Sequence, residues 1–230
     1  MIVYDDGDAL ADGAASLIAR WLREAPPGDV SLGLAGGGTP KETYRHLVHQ
    51  EAPWSRVHAW MGDERWVPPD HPQNNGRMAR DALLDHVPAT FHPLPWDEGI
   101  TPADAAKTFD SELEGLMQDG DFGAELIILG LGEDGHTCSL FPGTTALDEK
   151  DRLYVENWVP QQESWRTTVT FRLLHAARRL VFLISGSAKA PEVARILDDR
   201  PAARSPAWVA GRGKGETTLL LDRDAATGLV

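Results

Sequence analysis

Four consecutive apolar residues, Leu126-Ile127-Ile128-Leu129, run straight into Gly130-Leu131-Gly132-Glu133-Asp134-Gly135-His136-Thr137. A short apolar run bounded by glycine reads as a strand buried on both faces, the kind found in parallel sheets. Open parallel sheets bind their ligands in the crevice beyond the carboxyl ends of the strands. A loop there that carries an acid and a histidine delivers the side chain best suited to exchanging a proton near neutral pH. A second such loop, Gly36-Gly37-Gly38-Thr39-Pro40, follows the strand-like Val30-Ser31-Leu32-Gly33-Leu34. Two glycine-rich strand ends point to an enzyme with a phosphate-bearing substrate.

Helix and strand signals alternate along the chain. Leu10, Ala14, Leu17, Ile18, Trp21 and Leu22 recur at helical spacing, with acids before the run and Arg20 and Arg23 at its end. Pro40 suits the first turn of a helix running through Tyr44, Leu47 and Val48. Further helices are expected over residues 75–86, 103–117 and 188–197, with a short one at 173–177 and a terminal turn at 223–229. Strands are expected at 57–61, 167–171, 180–184 and 217–221. No repeat or linker interrupts the 230 residues. The pattern predicts a single Rossmann-like α/β domain over residues 1–230, its mostly parallel sheet covered by helices on both faces.

The formal net charge of −13 speaks against nucleic acid or an anionic membrane as partner. No apolar run approaches the roughly 20 residues of a membrane span, and Met1-Ile2-Val3-Tyr4-Asp5-Asp6 lacks the pattern of a secretory signal. The only cysteine, Cys138, excludes an intrachain disulfide, so a cytoplasmic setting is expected. A phosphate ester entering so acidic a protein requires a local cluster of cations and backbone N–H groups.

Gly130-Leu131-Gly132-Glu133-Asp134-Gly135 matches the dinucleotide fingerprint formally, but Pro142 and Gly143 stop the long helix that the fingerprint needs. The three glycines at 36–38 do not form a Walker A loop, since no Gly-Lys-Ser/Thr follows; they free backbone N–H groups to approach an anion, and Thr39 adds a hydroxyl. Gly62-Asp63-Glu64-Arg65 stands at a third strand end. Glu64 reads there as a solvated loop residue, whereas Arg65 can hold a phosphate or a carbonyl oxygen bidentately. Arg166, ahead of the strand at 167–171, and Lys189, near a helix start where the dipole disfavours a cation, join it. His46, His49 and His175 read as structural, and the eight tryptophans as core and rim packing. His136 and Cys138 offer two metal ligands with no second pair at zinc-like spacing, and no G-x-S-x-G elbow exists.

Four segments together resemble the 6-phosphogluconolactonase family over nearly the whole chain. They are Gly36-Gly37-Gly38-Thr39-Pro40; Gly62-Asp63-Glu64-Arg65-Trp66-Val67-Pro68 with Asn74-Asn75-Gly76-Arg77-Met78-Ala79-Arg80; residues 129–143; and Arg166-Thr167-Thr168-Val169-Thr170 with Ser185-Gly186 and Lys189. Gln161-Gln162-Glu163-Ser164-Trp165 departs from the proline-rich approach that the family leads one to expect. A deaminase of the same fold would carry an asparagine-glutamate pair after Asp-Gly-His; this chain has Cys138-Ser139-Leu140.

The resemblance implies hydrolysis of 6-phospho-D-glucono-1,5-lactone, the second step of the oxidative pentose phosphate pathway, without metal or other cofactor. It implies His136 as general base, Asp134 as its orienting partner and Arg65 at the oxyanion. Gly36, Gly37, Gly38, Thr39, Arg166 and Lys189 would hold the phosphate, with Asp63 and Asn75 near the sugar hydroxyls. The alternatives are a glucosamine-6-phosphate deaminase-like isomerase and a non-catalytic sugar-phosphate sensor, though no stretch is left over for the DNA-binding segment a sensor would carry. Either way the partner is a small sugar phosphate, and the chain is expected to be a monomer or small homo-oligomer.

Overall fold

Successive residues of the central strand point in opposite directions, and both directions lead into apolar packing. Leu126 and Ile128 belong to one core, Ile127 and Leu129 to a second on the other face of the sheet. A computed structural model describes residues 1–117, 123–198, 200 and 204–229. Seven parallel strands form the main sheet: β1 (Ile2–Tyr4), β2 (Val30–Leu34), β3 (Val57–Met61), β5 (Thr90–His92), β6 (Leu126–Leu129), β9 (Arg179–Ile184) and β10 (Glu216–Asp222). Their spatial order is β1-β10-β9-β6-β2-β3-β5.

Helices α1 (Gly7–Glu24), α2 (Gly38–Leu47) and α3 (Asn75–Ala82) cover one face. The other face is covered by α4 (Pro102–Leu116), α5 (Phe171–Ala176), α6 (Ala190–Leu197) and α7 (Pro206–Ala210). Helix α1 shows why the sequence folds so. Asp6 accepts the Ala9 N–H at 2.8 Å as N-cap, and the apolar positions read from the sequence are its buried stripe.

The chain passes from β2 outward through β3 to β5, then returns through β6 on the opposite side of β2. The boundary between β2 and β6 is therefore a topological switch point, where strand-end loops diverge and leave a crevice.

The structure corrects several expectations. Glu64 is no solvated loop residue: Asp63–Arg65 form β4, which with β8 (Ser164–Val169) and β7 (Tyr154–Val159) makes a separate three-stranded antiparallel sheet, order β4-β8-β7. Arg166 lies inside β8 rather than ahead of it, and Phe171 opens α5 instead of ending a strand. The helix expected over 75–86 stops at Ala82, where Leu83 leaves helical geometry, and resumes as the 3-10 turn Leu84–His86. The helix expected from 188 begins as a 3-10 turn, Ser187–Lys189. Residues 223–229 are hydrogen-bonded turns without a helix.

Candidate active site

The two glycine loops leave neighbouring strands, since Leu32 pairs with Leu126 and Gly33 with Ile127. Gly37 is the N-cap of α2 at φ 106, a conformation that L side chains rarely adopt, and it offers no side chain to the first turn. The N–H groups there remain available to a ligand. Behind it, the Asn75 side chain lies so close to Gly36 that a Cβ would meet its Oδ1 at 2.1 Å.

The loop after β6 closes on itself. Gly132 N–H donates to the His136 carbonyl at 2.8 Å, and the Thr137 hydroxyl donates to the Gly130 carbonyl at 2.8 Å. This folding brings Nδ1 of His136 to 2.6 Å from Asp134 Oδ1, and Phe141 stacks on the imidazole with ring centroids 4.0 Å apart. A Cβ on Gly132 would lie 2.0 Å from that Nδ1, so the absence of a side chain makes room for the ring. Burial acts to raise the Asp134 carboxyl, but the hydrogen bonds and charge of His136 outweigh it and hold Asp134 below its ordinary value. An ionised Asp134 accepts Nδ1–H and leaves Nε2 as the nitrogen that can take a proton from a ligand.

The small sheet supplies the opposite wall. Arg65 on β4 and Arg166 on β8 are register partners. Nη1 of Arg65 is anchored on the Gln73 carbonyl at 2.7 Å, while its buried Nε has no hydrogen-bond partner among the described residues. Arg166 donates to the Gln162 side chain through Nη2. Burial lowers the Arg166 guanidinium from its ordinary value; Asp63 opposes this and the Arg65 charge adds to it. Asp63 accepts the Ser139 hydroxyl at 2.6 Å, and the Asp63 carbonyl accepts Asn75 Nδ2 at 3.0 Å.

Glu64 overturns its expected role most clearly, being only 3% exposed. Its Oε1 accepts the N–H groups of Arg65 and Asn75, and its Oε2 that of Gly76, each at 2.8 Å. It thereby ties strand β4 to the first turn of α3. Burial pushes its carboxyl up to about 7, against the pull of those three donors.

These walls enclose a cavity of ≈ 240 Å³. Gly36, Gly37, Asp63, Arg65, Asn75, His136, Arg166 and Lys189 all line it, while Gly38, Thr39 and Asp134 do not. Gly38 and Thr39 form the first turn of α2 behind the loop, and Asp134 reaches the cavity only through His136. Lys189 Nζ stands 3.7 Å from Glu133 Oε1. Gln162 and Phe141 line the cavity although sequence reasoning gives neither a site role. The departure at residues 161–165 is the signal for Gln162; Phe141 lies inside the 129–143 segment with nothing to single it out. His175, expected to be structural, bonds the Val209 carbonyl at 2.8 Å. Among the described residues no group of three or more His, Cys, Asp or Glu could hold a metal ion, and no helix is long and apolar enough to cross a membrane.

A parallel α/β sheet with a carboxylate-oriented imidazole and clustered cations at its switch point defines an enzyme class that handles small anionic ligands. The family model for glucosamine-6-phosphate isomerases and 6-phosphogluconolactonases matches residues 5–219, and the chain belongs to that family. It is 41% identical to the 6-phosphogluconolactonase of Synechocystis sp. over 213 residues, covering 89% of this chain and 87% of that one. The Nostoc sp. 6-phosphogluconolactonase is 36% identical over 234 residues, 98% of this chain and 95% of the relative. The solved 6-phosphogluconolactonase of Trypanosoma brucei superposes with a TM-score of 0.90 at 27% identity, over 100% of this chain and 98% of that one.

Proposed function

We propose that this chain hydrolyses 6-phospho-D-glucono-1,5-lactone to 6-phospho-D-gluconate, in the cytoplasm. The observation that carries the reading is the Asp134–His136 pair facing Arg65, Arg166 and Lys189 across one cavity. A lactone is an activated ester, so a positioned water suffices as nucleophile. Nε2 of His136 takes a proton from that water as its oxygen attacks the carbonyl carbon. The carbonyl oxygen becomes an oxyanion, met by Arg65 and loop N–H groups. When the tetrahedral intermediate collapses, the bond from carbon to ring oxygen breaks and His136 returns the proton to that oxygen. Arg166, Lys189 and the first turn of α2 hold the phosphate, and Asp63 and Asn75 face the sugar hydroxyls. The lone Cys138, with no partner for an intrachain disulfide, supports the reducing compartment.

Acid release from freshly prepared 6-phosphogluconolactone, run beside ammonia release from glucosamine 6-phosphate, tests the proposal. Lactone hydrolysis without ammonia is expected. Ammonia at enzyme-like turnover would assign the chain to the isomerase branch, and turnover of neither would favour a sensor.

A further inference from the structure

Helix α6, which follows Lys189, buries Val193, Ile196 and one charged residue, Glu192, which is only 3% exposed. Its Oε1 accepts a hydrogen bond from Nη1 of Arg195 at 2.7 Å. Its Oε2 is buried with no hydrogen-bond partner among the described residues. That oxygen abuts the backbone of the His136 loop, since a Cβ on Gly135 would stand 2.7 Å from it. A buried carboxylate with an unmet acceptor is costly.

We propose that Glu192 is a positioning residue for the Asp134–His136 pair, a second negative charge that stabilises the imidazolium formed when His136 holds the proton of the attacking water. The inference rests on the reading of His136 as general base. The charged groups around the imidazole divide by sign. Asp134 and Glu133 come from its own loop, Asp63 from β4 and Glu192 from α6. Opposed to them are Arg65 on β4, Arg166 on β8, Lys189 before α6 and Arg195 within it. Three of these cations line the same cavity as the ring. Glu192 offsets them from behind the loop, where low exposure keeps its field from being screened. Burial, with Asp134 contributing and Arg195 opposing, raises the Glu192 carboxyl from its ordinary value, so carboxylate and loop act on each other.

The test follows the His136 ring-carbon NMR signals against pH in the substrate-free wild type, in Glu192→Gln and in Arg195→Gln. Loss of the carboxylate is expected to move the ring's titration midpoint to lower pH by about half a unit. Loss of the Arg195 charge is expected to move it upward by a smaller amount. With substrate, Glu192→Gln should lower kcat several-fold with KM nearly constant. A midpoint that stays put, or that moves the same way in both variants, overturns the proposal and reduces Glu192 to packing. Should Glu192→Gln not fold, Arg195→Gln decides alone, because its side chain is 60% exposed; no upward movement then overturns the proposal. The titration needs no turnover. Full activity in His136→Ala would sink the general-base reading separately, whatever the ring does.

Discussion

Arg65 and Arg166 stand directly opposite each other on the antiparallel strands β4 and β8. Like charges in register destabilise a sheet, and here the second guanidinium is also partly desolvated. Neither has a carboxylate ion-pair partner among the described residues; Arg65 is tied to a backbone carbonyl and Arg166 to an amide. An anion held by Arg166 offsets this repulsion. In an apo protein that relief is measurable as stability.

Inorganic phosphate is therefore expected to raise Tm. At a concentration about 100 times Kd, one bound anion stabilises by about 2.7 kcal/mol, which corresponds to roughly 5–10 °C for a chain of this length. The effect should be largely lost in Arg166→Ala, and in steady-state assays that variant should raise KM more than it lowers kcat. Equal Tm gains in wild type and variant would remove Arg166 from the phosphate site.

His136→Ala should lower kcat by roughly 10²–10⁴-fold with substrate affinity nearly intact. Arg65→Ala should also act on kcat, since the charge it meets develops only in the tetrahedral intermediate. Unphosphorylated gluconolactone separates the cations. Its hydrolysis should be slow in the wild type, unaffected by Lys189→Ala and reduced by Arg65→Ala.

Glu64 gives a pH dependence whose sign can be worked out. Its folded value, about 7, lies above the ordinary 4.5. The folded chain thus holds this proton more tightly than the unfolded one. The associated stability is complete below pH 4.5 and is lost as pH rises through 7. The Tm difference between wild type and Glu64→Gln should shrink over that interval and level off above it. A difference that is flat with pH would mean that the three N–H donors keep Glu64 ionised throughout. Glu64→Ala leaves buried donors unpaired, should cost about 1–3 kcal/mol and should raise KM through displaced Asn75.

Activity should survive exhaustive treatment with EDTA, because His136 and Cys138 have no second ligand pair at zinc-like spacing in the sequence. Activity lost to the chelator and restored by zinc would require a different role for His136.

Five strands of the main sheet and the two glycine loops are legible in the sequence because an apolar run, a glycine cluster and helical periodicity are local signals; the edge strands β1 and β5, three residues each, are too short to show any period. The small sheet is not. Strand β4 is Asp-Glu-Arg, three charged residues without alternation. In β7 the fully buried Asn157 interrupts the apolar pattern, its amide donating to the Ser139 carbonyl and the Thr144 hydroxyl. Arg65, Arg166, Lys189 and His136 can be named from their places near strand and helix ends. Glu64 cannot, since its partners at Asn75 and Gly76 are backbone N–H groups 11 and 12 residues away and leave no trace in composition.

The three glycines of the 130–135 loop differ in how freely they can be replaced. A methyl added at position 130 would meet nothing within 4 Å, whereas at 132 it would strike the imidazole, and at 135 it would strike Ser205 and Glu192 with φ at +80. A saturation library of this loop should return many survivors at the first position and glycine alone at the other two. The segment that looks most like a nucleotide-binding consensus is thus two-thirds immovable for a reason unrelated to nucleotides. Any chain that seats an imidazole in this way must keep those letters, because the ring needs the space.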